Sequence, residues 1–170
     1  NAGVLNIYGV SSLGGNLTID HAAVVNLHNN FTIGNSSNLN LIDGTVNFLG
    51  NAVLSGEGIF NVTGGKVIFA ANSTFNGSGQ FNMSSGEINF TGNSTFSGSS
   101  VFNAGQGQVY FGENVTLSGS GIVNAQESTI IMDGATWAMI GGAEFNPGTS
   151  TVVFSGNTHL ISGAGGINQI

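Results

Sequence analysis

Apolar and polar residues alternate in short runs along the chain, and these runs return at a constant interval. The pair Phe60-Asn61 recurs as Phe81-Asn82 and again as Phe102-Asn103, at equal spacing. The same column continues at the same or a slightly longer step with Leu39-Asn40, Val123-Asn124, Phe145-Asn146 and Ile167-Asn168. Self-similarity at a fixed period, here about 21 residues, predicts a repeat architecture in which each unit buries its apolar face against its neighbours.

Three further apolar columns run parallel to the first. Seven positions after the first residue of each pair, which we call the pair head, stand Val46, Val67, Ile88, Val109, Ile130 and Val152. Nine positions after it stand Phe48, Phe69, Phe90, Phe111, Met132 and Phe154, and fifteen after it Leu54, Phe75, Phe96, Leu117 and Leu160. Eleven of the twelve phenylalanines lie in these columns or at the pair heads, and Phe31 is the exception. These columns are the predicted core.

Each repeat unit contains three short alternating runs, which predict three strands. Val67 and Phe69 would point inward while Lys66 and Ile68 point outward, since side chains alternate along a strand. The other predicted inward pairs of this unit are Phe60 with Val62 and Ser73 with Phe75. Gly, Ala and Ser between the runs suit tight corners. The sequence therefore predicts an all-β fold, a single parallel β-helix (β-solenoid) of about eight coils, right-handed by the general chirality of parallel crossovers.

No linker or change of composition divides the chain, so residues 1–170 are predicted to form one domain. The repeat is regular over residues 39–170 and less regular over residues 1–38. The coil around Trp137 breaks the pattern by one additional residue. This tryptophan is expected either to protrude for contact with a sugar or subunit or, as we prefer, to fill a repacked interior.

Composition narrows the possible functions. Gly, Asn, Ser and Thr make up about half of the 170 residues, charged residues make up 5%, and the net charge is −7. Lys66 is the only basic residue, which excludes a nucleic-acid binder because nothing else could neutralise phosphates. There is no cysteine, and no apolar run reaches the roughly 18 residues of a membrane-spanning helix.

The repeat unit combines Phe-Asn, Gly-x-Val-x-Phe, Asn-x-Thr-Phe and Gly-Ser-Gly. It resembles the repeats of secreted β-solenoid surface proteins, among them filamentous-haemagglutinin-like adhesins, autotransporter passengers and the fibrous or sheath proteins of cell envelopes. The resemblance covers residues 39–170 well and residues 1–38 loosely. It implies an extracellular structural or adhesive role, and it assigns no functional residue.

Sequons for N-glycosylation are the main candidate sites. Random placement of the Asn, Ser and Thr residues predicts about four Asn-x-Ser/Thr motifs, and ten are present. Four share one predicted outward column: Asn30, Asn72, Asn93 and Asn114. The other six begin at Asn16, Asn35, Asn61, Asn76, Asn82 and Asn89. Repetition multiplies any accidental sequon, and glycans on adjacent coils would stand only about 4.8 Å apart, so we expect several occupied sites but not ten.

The sequence evidence for other kinds of functional site is weaker than that for glycosylation. Thr74, Thr95 and Thr116 would form an outward hydroxyl column like that of ice-binding solenoids, interrupted by Val53 before it and by Trp137 and His159 after it. Glu113 and Asp133 are separated by nearly one repeat and could approach on adjacent coils as a glycosidase pair. No long loop would build a cleft around them, so no enzymatic activity is predicted. His21, His28 and His159 lack metal-ligand spacing, and neither a metal nor another cofactor is predicted.

The sequence thus favours an extracellular or cell-surface structural protein. We expect a subunit or segment of a glycosylated fibre, filament or sheath, assembled by end-to-end stacking, because no charged or helical cap stands beside Leu5 or Ile167. The alternative is an adhesin or autotransporter-like stalk that binds host or carbohydrate surfaces. An ice-binding protein or a polysaccharide-active enzyme is the weaker interpretation. The predicted partner is a second copy of the chain, with neither nucleic-acid binding nor membrane insertion.

Overall fold

The computed structural model describes residues 3–9, 12–155 and 160–163. These residues contain no helix and form 23 short strands, numbered along the chain, that wind into a parallel β-solenoid. The predicted fold class is confirmed, as is the repeat of about 21 residues. The described residues form about 7 turns, with eight strands in two of the sheets and seven in the third, where the sequence predicts about eight coils. The pair Ile167-Asn168 lies outside the described residues.

The strands stack into three parallel sheets, one strand of each per turn. Sheet A contains β1 Val4–Ile7, β4 Val24–Leu27, β7 Thr45–Phe48, β10 Lys66–Phe69, β13 Glu87–Phe90, β16 Gln108–Phe111, β19 Thr129–Met132 and β22 Thr151–Phe154. Sheet B contains β2 Ser12–Leu13, β5 Phe31–Ile33, β8 Ala52–Leu54, β11 Ser73–Phe75, β14 Ser94–Phe96, β17 Val115–Leu117, β20 Thr136–Met139 and β23 Leu160–Gly163. Sheet C contains β3 Asn16–Ile19, β6 Asn38–Leu41, β9 Ile59–Val62, β12 Gln80–Met83, β15 Val101–Asn103, β18 Ile122–Asn124 and β21 Glu144–Asn146.

The core is a set of side-chain columns parallel to the solenoid axis. Phe48, Phe69, Phe90 and Phe111 lie in register, with ring centroids 4.8 Å apart at each step and interplanar angles of at most 12°. Shorter stacks join Phe60 to Phe81 at 4.6 Å and Phe75 to Phe96 at 4.7 Å. All the predicted inward residues of the unit from Phe60 to Phe75 are buried, including Ser73. The predicted alternation is therefore confirmed there.

Glycine forms the corner between sheets C and A because the turns approach closely there. Gly65 has a φ of +79°, and a Cβ atom at this position would overlap the carbonyl oxygen of Gly44 in the preceding turn. A non-glycine residue would therefore meet both an unfavourable backbone conformation and a clash with backbone.

The prediction was wrong at two positions of sheet B. Trp137 does not continue the outward threonine column, because it pairs with Val115 and is only 5% exposed. Leu160 is not an inward residue, because it pairs with Thr136 and is 59% exposed. Both differences arise because the turns on either side of β20 are longer than the regular repeat, the first of them by a single residue. A shift of one residue moves a side chain to the opposite face of a strand.

The preferred interpretation of Trp137 as a core residue is confirmed. Its ring lies edge-on to Phe145 at a centroid distance of 4.8 Å, and Met139 continues the inward column of Leu117. The additional residue lies in the corner before β20, where the backbone N–H groups of Asp133 and Gly134 both donate to the carbonyl of Phe111.

Candidate functional site

The main outward feature of sheet C is a ladder of asparagine side chains, one per turn. After the first member, each Nδ2 donates to the Oδ1 of the asparagine in the preceding turn, at 2.8–3.1 Å. The six members of this ladder are Asn40, Asn61, Asn82, Asn103, Asn124 and Asn146. The predicted asparagine column is therefore a continuous chain of side-chain hydrogen bonds, which we call the sheet C ladder.

A second, shorter ladder lies on the outward face of sheet A. Asn26 donates to Asn6 at 2.8 Å, and Asn47 donates to Asn26 at 2.7 Å. The next residue in register is Ile68, which cannot donate, and the Oδ1 atom of Asn47 is buried without a hydrogen-bond partner. The sequence places these asparagines in matching tripeptides, Leu5-Asn6-Ile7, Val25-Asn26-Leu27 and Val46-Asn47-Phe48. That match alone does not predict hydrogen bonds between their side chains.

Replacing Ile68 with asparagine is expected to join the short ladder to Asn89, which follows Ile68 in register. The new Nδ2 would supply the missing donor to Asn47, a hydrogen bond that contributes about 0.5–1.5 kcal/mol. We expect the free energy of unfolding of Ile68→Asn to equal or exceed that of the unmodified chain in denaturant melts.

Ile131→Asn is the matched control, because Ile131 occupies the same outward column between Tyr110 and Val153. The new amide would have no amide neighbour there, and we expect a loss of stability. Equal losses in the two variants would contradict the ladder explanation.

The predicted sequon column is accessible in part. Asn30, Asn72 and Asn93 are exposed, whereas Asn114 is half-buried and its Oδ1 atom has no hydrogen-bond partner. The Oδ1 of Asn30 accepts from the backbone N–H of Asn51, and that of Asn72 accepts from the backbone N–H of Asn93. These bonds use the oxygen of Asn30 and Asn72 rather than Nδ2, the atom that carries a glycan. The Nδ2 of Asn93, by contrast, donates to the Oδ1 of Asn72 at 3.4 Å.

The remaining sequons fall into two groups. Asn16 and Asn35 are exposed, and Asn76 is half-buried. In the second group Nδ2 is already a donor, to the sheet C ladder from Asn61 and Asn82 and to Glu87 from Asn89. A glycan in the second group would replace a hydrogen on the nitrogen that makes these contacts.

The hydroxyl column of sheet B differs from the prediction. Thr74, Thr95 and Thr116 are in register as expected, preceded by Thr32 and Val53. The column continues through Ala138 and Ser162 rather than through Trp137, because of the additional residue before β20. His159, the other predicted member, lies outside the described residues. Small side chains thus occupy the column where a tryptophan was expected.

Lys66 and Glu87 form an ion pair across adjacent turns of sheet A. The Nζ and Oε1 atoms are 2.8 Å apart, and this hydrogen bond from Lys66 lowers the pKa of Glu87. Both side chains are more than one-third exposed, so solvent screening leaves the pair a small contribution to stability.

The predicted acidic pair lies near a tyrosine. The hydroxyl of Tyr110 donates to Asp133 at 2.8 Å, which raises the pKa of Tyr110, and the charge of Glu113 raises it further. Ser155 donates to the other oxygen of Asp133 at 3.0 Å. Both carboxylate oxygens of Asp133 thus accept a hydrogen bond from a hydroxyl group. Asp133 is therefore not an unbonded acid beside Glu113.

Two of the histidines have local partners. His21 lies 3.2 Å from its neighbour Asp20, and the ring of His28 stacks on Tyr8. Within the part of the chain that the structure describes, no group of three or more His, Cys, Asp or Glu residues is placed to hold a metal ion. That part also contains no helix long and apolar enough to cross a membrane.

Comparison of the chain with protein-family models, with curated proteins and with solved structures finds no match.

Proposed function

We propose that this chain is an extracellular structural protein, a segment of a glycosylated fibre, filament or sheath built by end-to-end stacking of β-solenoids. The observation that supports the proposal is axial continuity. The phenylalanine stack of sheet A and the sheet C ladder both run through successive turns in register. Such contacts form in the same way at every added turn, so a stack of this kind can be extended indefinitely.

The first described turn shows what an additional turn would bury. Leu5 is 50% exposed, whereas Val25, its register partner in the following turn, is 4% exposed. In the proposal, the last turn of another copy covers Leu5 and pairs with the open edge of β1. A head-to-tail contact of this kind does not close on itself and produces a filament.

The charge distribution favours such stacking. Natural proteins protect open strand edges with charged residues, above all lysine. The sole lysine of this chain, Lys66, lies in an interior strand and is paired with Glu87. No lysine therefore lies on β1 or β22, the first and last described strands of sheet A.

Sedimentation velocity and electron microscopy of the 170-residue chain at micromolar concentration test the proposal. We expect polymers for the unmodified chain and monomers for Leu5→Lys, which places a charge on the inward column of the first turn. Val4→Lys is the matched control, since Val4 is the neighbouring residue, is 64% exposed and pairs with the outward side of β4. It should still polymerise. An unmodified chain that remains monomeric would overturn the filament proposal in favour of an adhesin stalk.

Glycosylation gives a second, independent prediction. We expect a glycan on at least two of Asn30, Asn72, Asn93 and Asn114, read by mass spectrometry of peptides from native protein before and after deglycosylation. Hydrated sugars would keep a surface with so few charges soluble.

Asn51 is the internal control for this prediction, because it is exposed in the same column but lacks a sequon, having Val53 two residues later. It should be unmodified, and Val53→Thr, which creates a sequon there, should gain a glycan. Unmodified peptides at all four predicted positions would refute the prediction.

A further inference from the structure

The outward face of sheet C is two residues wide and carries few charges. One outward column is the sheet C ladder, preceded by Thr18. The adjacent outward column contains Asn16, Asn38, Ile59, Gln80, Val101, Ile122 and Glu144. Glu144, at one end, is the only charged residue in these two columns as described. Sheet A, by contrast, has Lys66, Glu87 and Tyr110 on its outward face.

The hydrogen bonds within the ladder leave part of the hydrogen-bonding capacity of each amide unused. An asparagine side chain has two N–H donors and an oxygen with two lone pairs. Each interior member, such as Asn61 or Asn82, uses one donor toward the preceding turn and one acceptor toward the following turn. One N–H and one lone pair per turn are therefore available to a partner. They recur along the axis about every 4.8 Å.

A partner that matches this array must present both donors and acceptors at the same interval. A second solenoid of the same chain does so, because its ladder has the same spacing and each of its amides is also both donor and acceptor. The ladder is thus complementary to itself, as an interface between identical subunits related by a two-fold axis must be. Half-buried Ile59, Val101 and Ile122 in the adjacent column would add apolar contact area.

We propose that two solenoids associate side by side through the outward faces of sheet C, with the two ladders facing each other. This inference deepens the proposed structural role and rests on it, since it adds lateral bundling to a fibre. A shallow groove of about 410 Å³ beside the ladder is bordered by Ile42, Thr63 and Ser84. It provides space for the side chains at the rim of the partner's face.

Because the outward face of sheet C is small, the strength of lateral pairing should depend on the length of the filament. Seven strands about 4.8 Å apart, each about four residues long at about 3.3 Å per residue, cover roughly 400 Å² per solenoid. A stable interface usually buries about 800 Å² per partner. One segment of this length should therefore pair weakly, while an end-to-end filament, in which the same contact repeats, should pair strongly.

Gln80 gives a test that leaves the ladder intact. It is exposed at the start of β12, the central strand of sheet C. A two-fold axis parallel to β12 lets the two ladders face each other along their length, and it places Gln80 opposite Gln80 of the second copy. Gln108 is the matched control, because it is also exposed at the start of a four-residue strand, β16, but lies on sheet A.

We expect Gln80→Lys to reduce the fraction of double-width filaments at least tenfold at low salt, measured by electron microscopy and light scattering. Gln108→Lys should remain within twofold of the unmodified chain. An equimolar mixture of Gln80→Lys and Gln80→Glu should restore double-width filaments, because opposite charges then meet across the interface. Far-ultraviolet circular dichroism confirms that each variant is folded.

The width of the filaments reports on the lateral contacts, and their length reports on the end-to-end contacts. Leu5→Lys should shorten the assemblies without preventing side-by-side pairs at high protein concentration, whereas Gln80→Lys should change width and preserve length. Single-width filaments of the unmodified chain at all concentrations would refute lateral pairing while leaving end-to-end stacking in place. Equal effects of the two glutamine-to-lysine substitutions, no recovery in the mixture, or glycans on Asn61 or Asn82 that cover the ladder would also refute it.

Discussion

Replacing Phe90 with alanine is expected to lower the free energy of unfolding by about 3–5 kcal/mol, because it removes a buried ring and leaves a cavity. Phe90 is fully buried between Phe69 and Phe111, with its ring nearly parallel to both at 4.8 Å. It also lies edge-on to Phe75 and Phe96. Because a solenoid turn contacts only its neighbours, a cavity at this central turn weakens both halves of the stack.

Denaturant melts followed by circular dichroism measure this loss, with Asn89→Ala as the control. Asn89 is adjacent to Phe90 but points outward, where its Nδ2 donates to Glu87 at 2.9 Å. Loss of that hydrogen bond should cost about 1 kcal/mol. Similar losses for the two variants would mean that the alternation of side chains in β13 does not determine what is buried.

Replacing Gly65 with alanine should be at least as damaging. The substitution forces a residue with a side chain to adopt a φ of +79°, and it drives Cβ into the carbonyl oxygen of Gly44 and to 2.9 Å from the nitrogen of that residue. Neither atom can move without disturbing the hydrogen bond from Lys66 N–H to Gly44 oxygen. We expect a loss of more than about 4 kcal/mol, the range of exceptional single substitutions.

Gly9→Ala separates the two causes of that loss. Gly9 has a similar φ of +75°, but no other part of the chain that the structure describes comes within 4 Å of the position where its Cβ would be. Only the backbone conformation is then unfavourable, at about 1–2 kcal/mol. If Gly65→Ala costs no more than Gly9→Ala in the same melts, the close approach of the turns at this corner is not a determinant of stability.

The repeat made most of the fold predictable. A position that recurs in six or seven turns reveals its burial even where a single residue is ambiguous, as with Ser73, which is buried opposite Ser94 despite its hydroxyl group. The register of Trp137 in the threonine column and of Leu160 in the inward column was predicted incorrectly because corners between strands can take up additional residues. The spacing between repeats shows how many residues are inserted. It does not show where in the turn the inserted residues lie.

The candidate sites were less predictable for a chemical reason. Asn72 and Asn82 both begin a sequon, and both recur in columns that carry asparagine in successive turns. The oxygen of Asn72 accepts the backbone N–H of Asn93 at 3.0 Å and its Nδ2 only at 3.4 Å, whereas in the column of Asn82 the amides bond one another directly through their side chains. This difference depends on the direction in which each side chain leaves its strand and on the distance to the next turn, which spacing alone does not specify.

The constant step between turns has a mechanical consequence. Consecutive turns are joined by one continuous backbone, and the bonds between them run along the axis, so axial tension acts to peel off a terminal turn. Each released turn of about 21 residues would add about 70 Å of extended chain in place of about 4.8 Å of solenoid. A fibre made of such turns would lengthen in equal steps under load and would absorb work at each step. The turns that have not yet been released would remain folded.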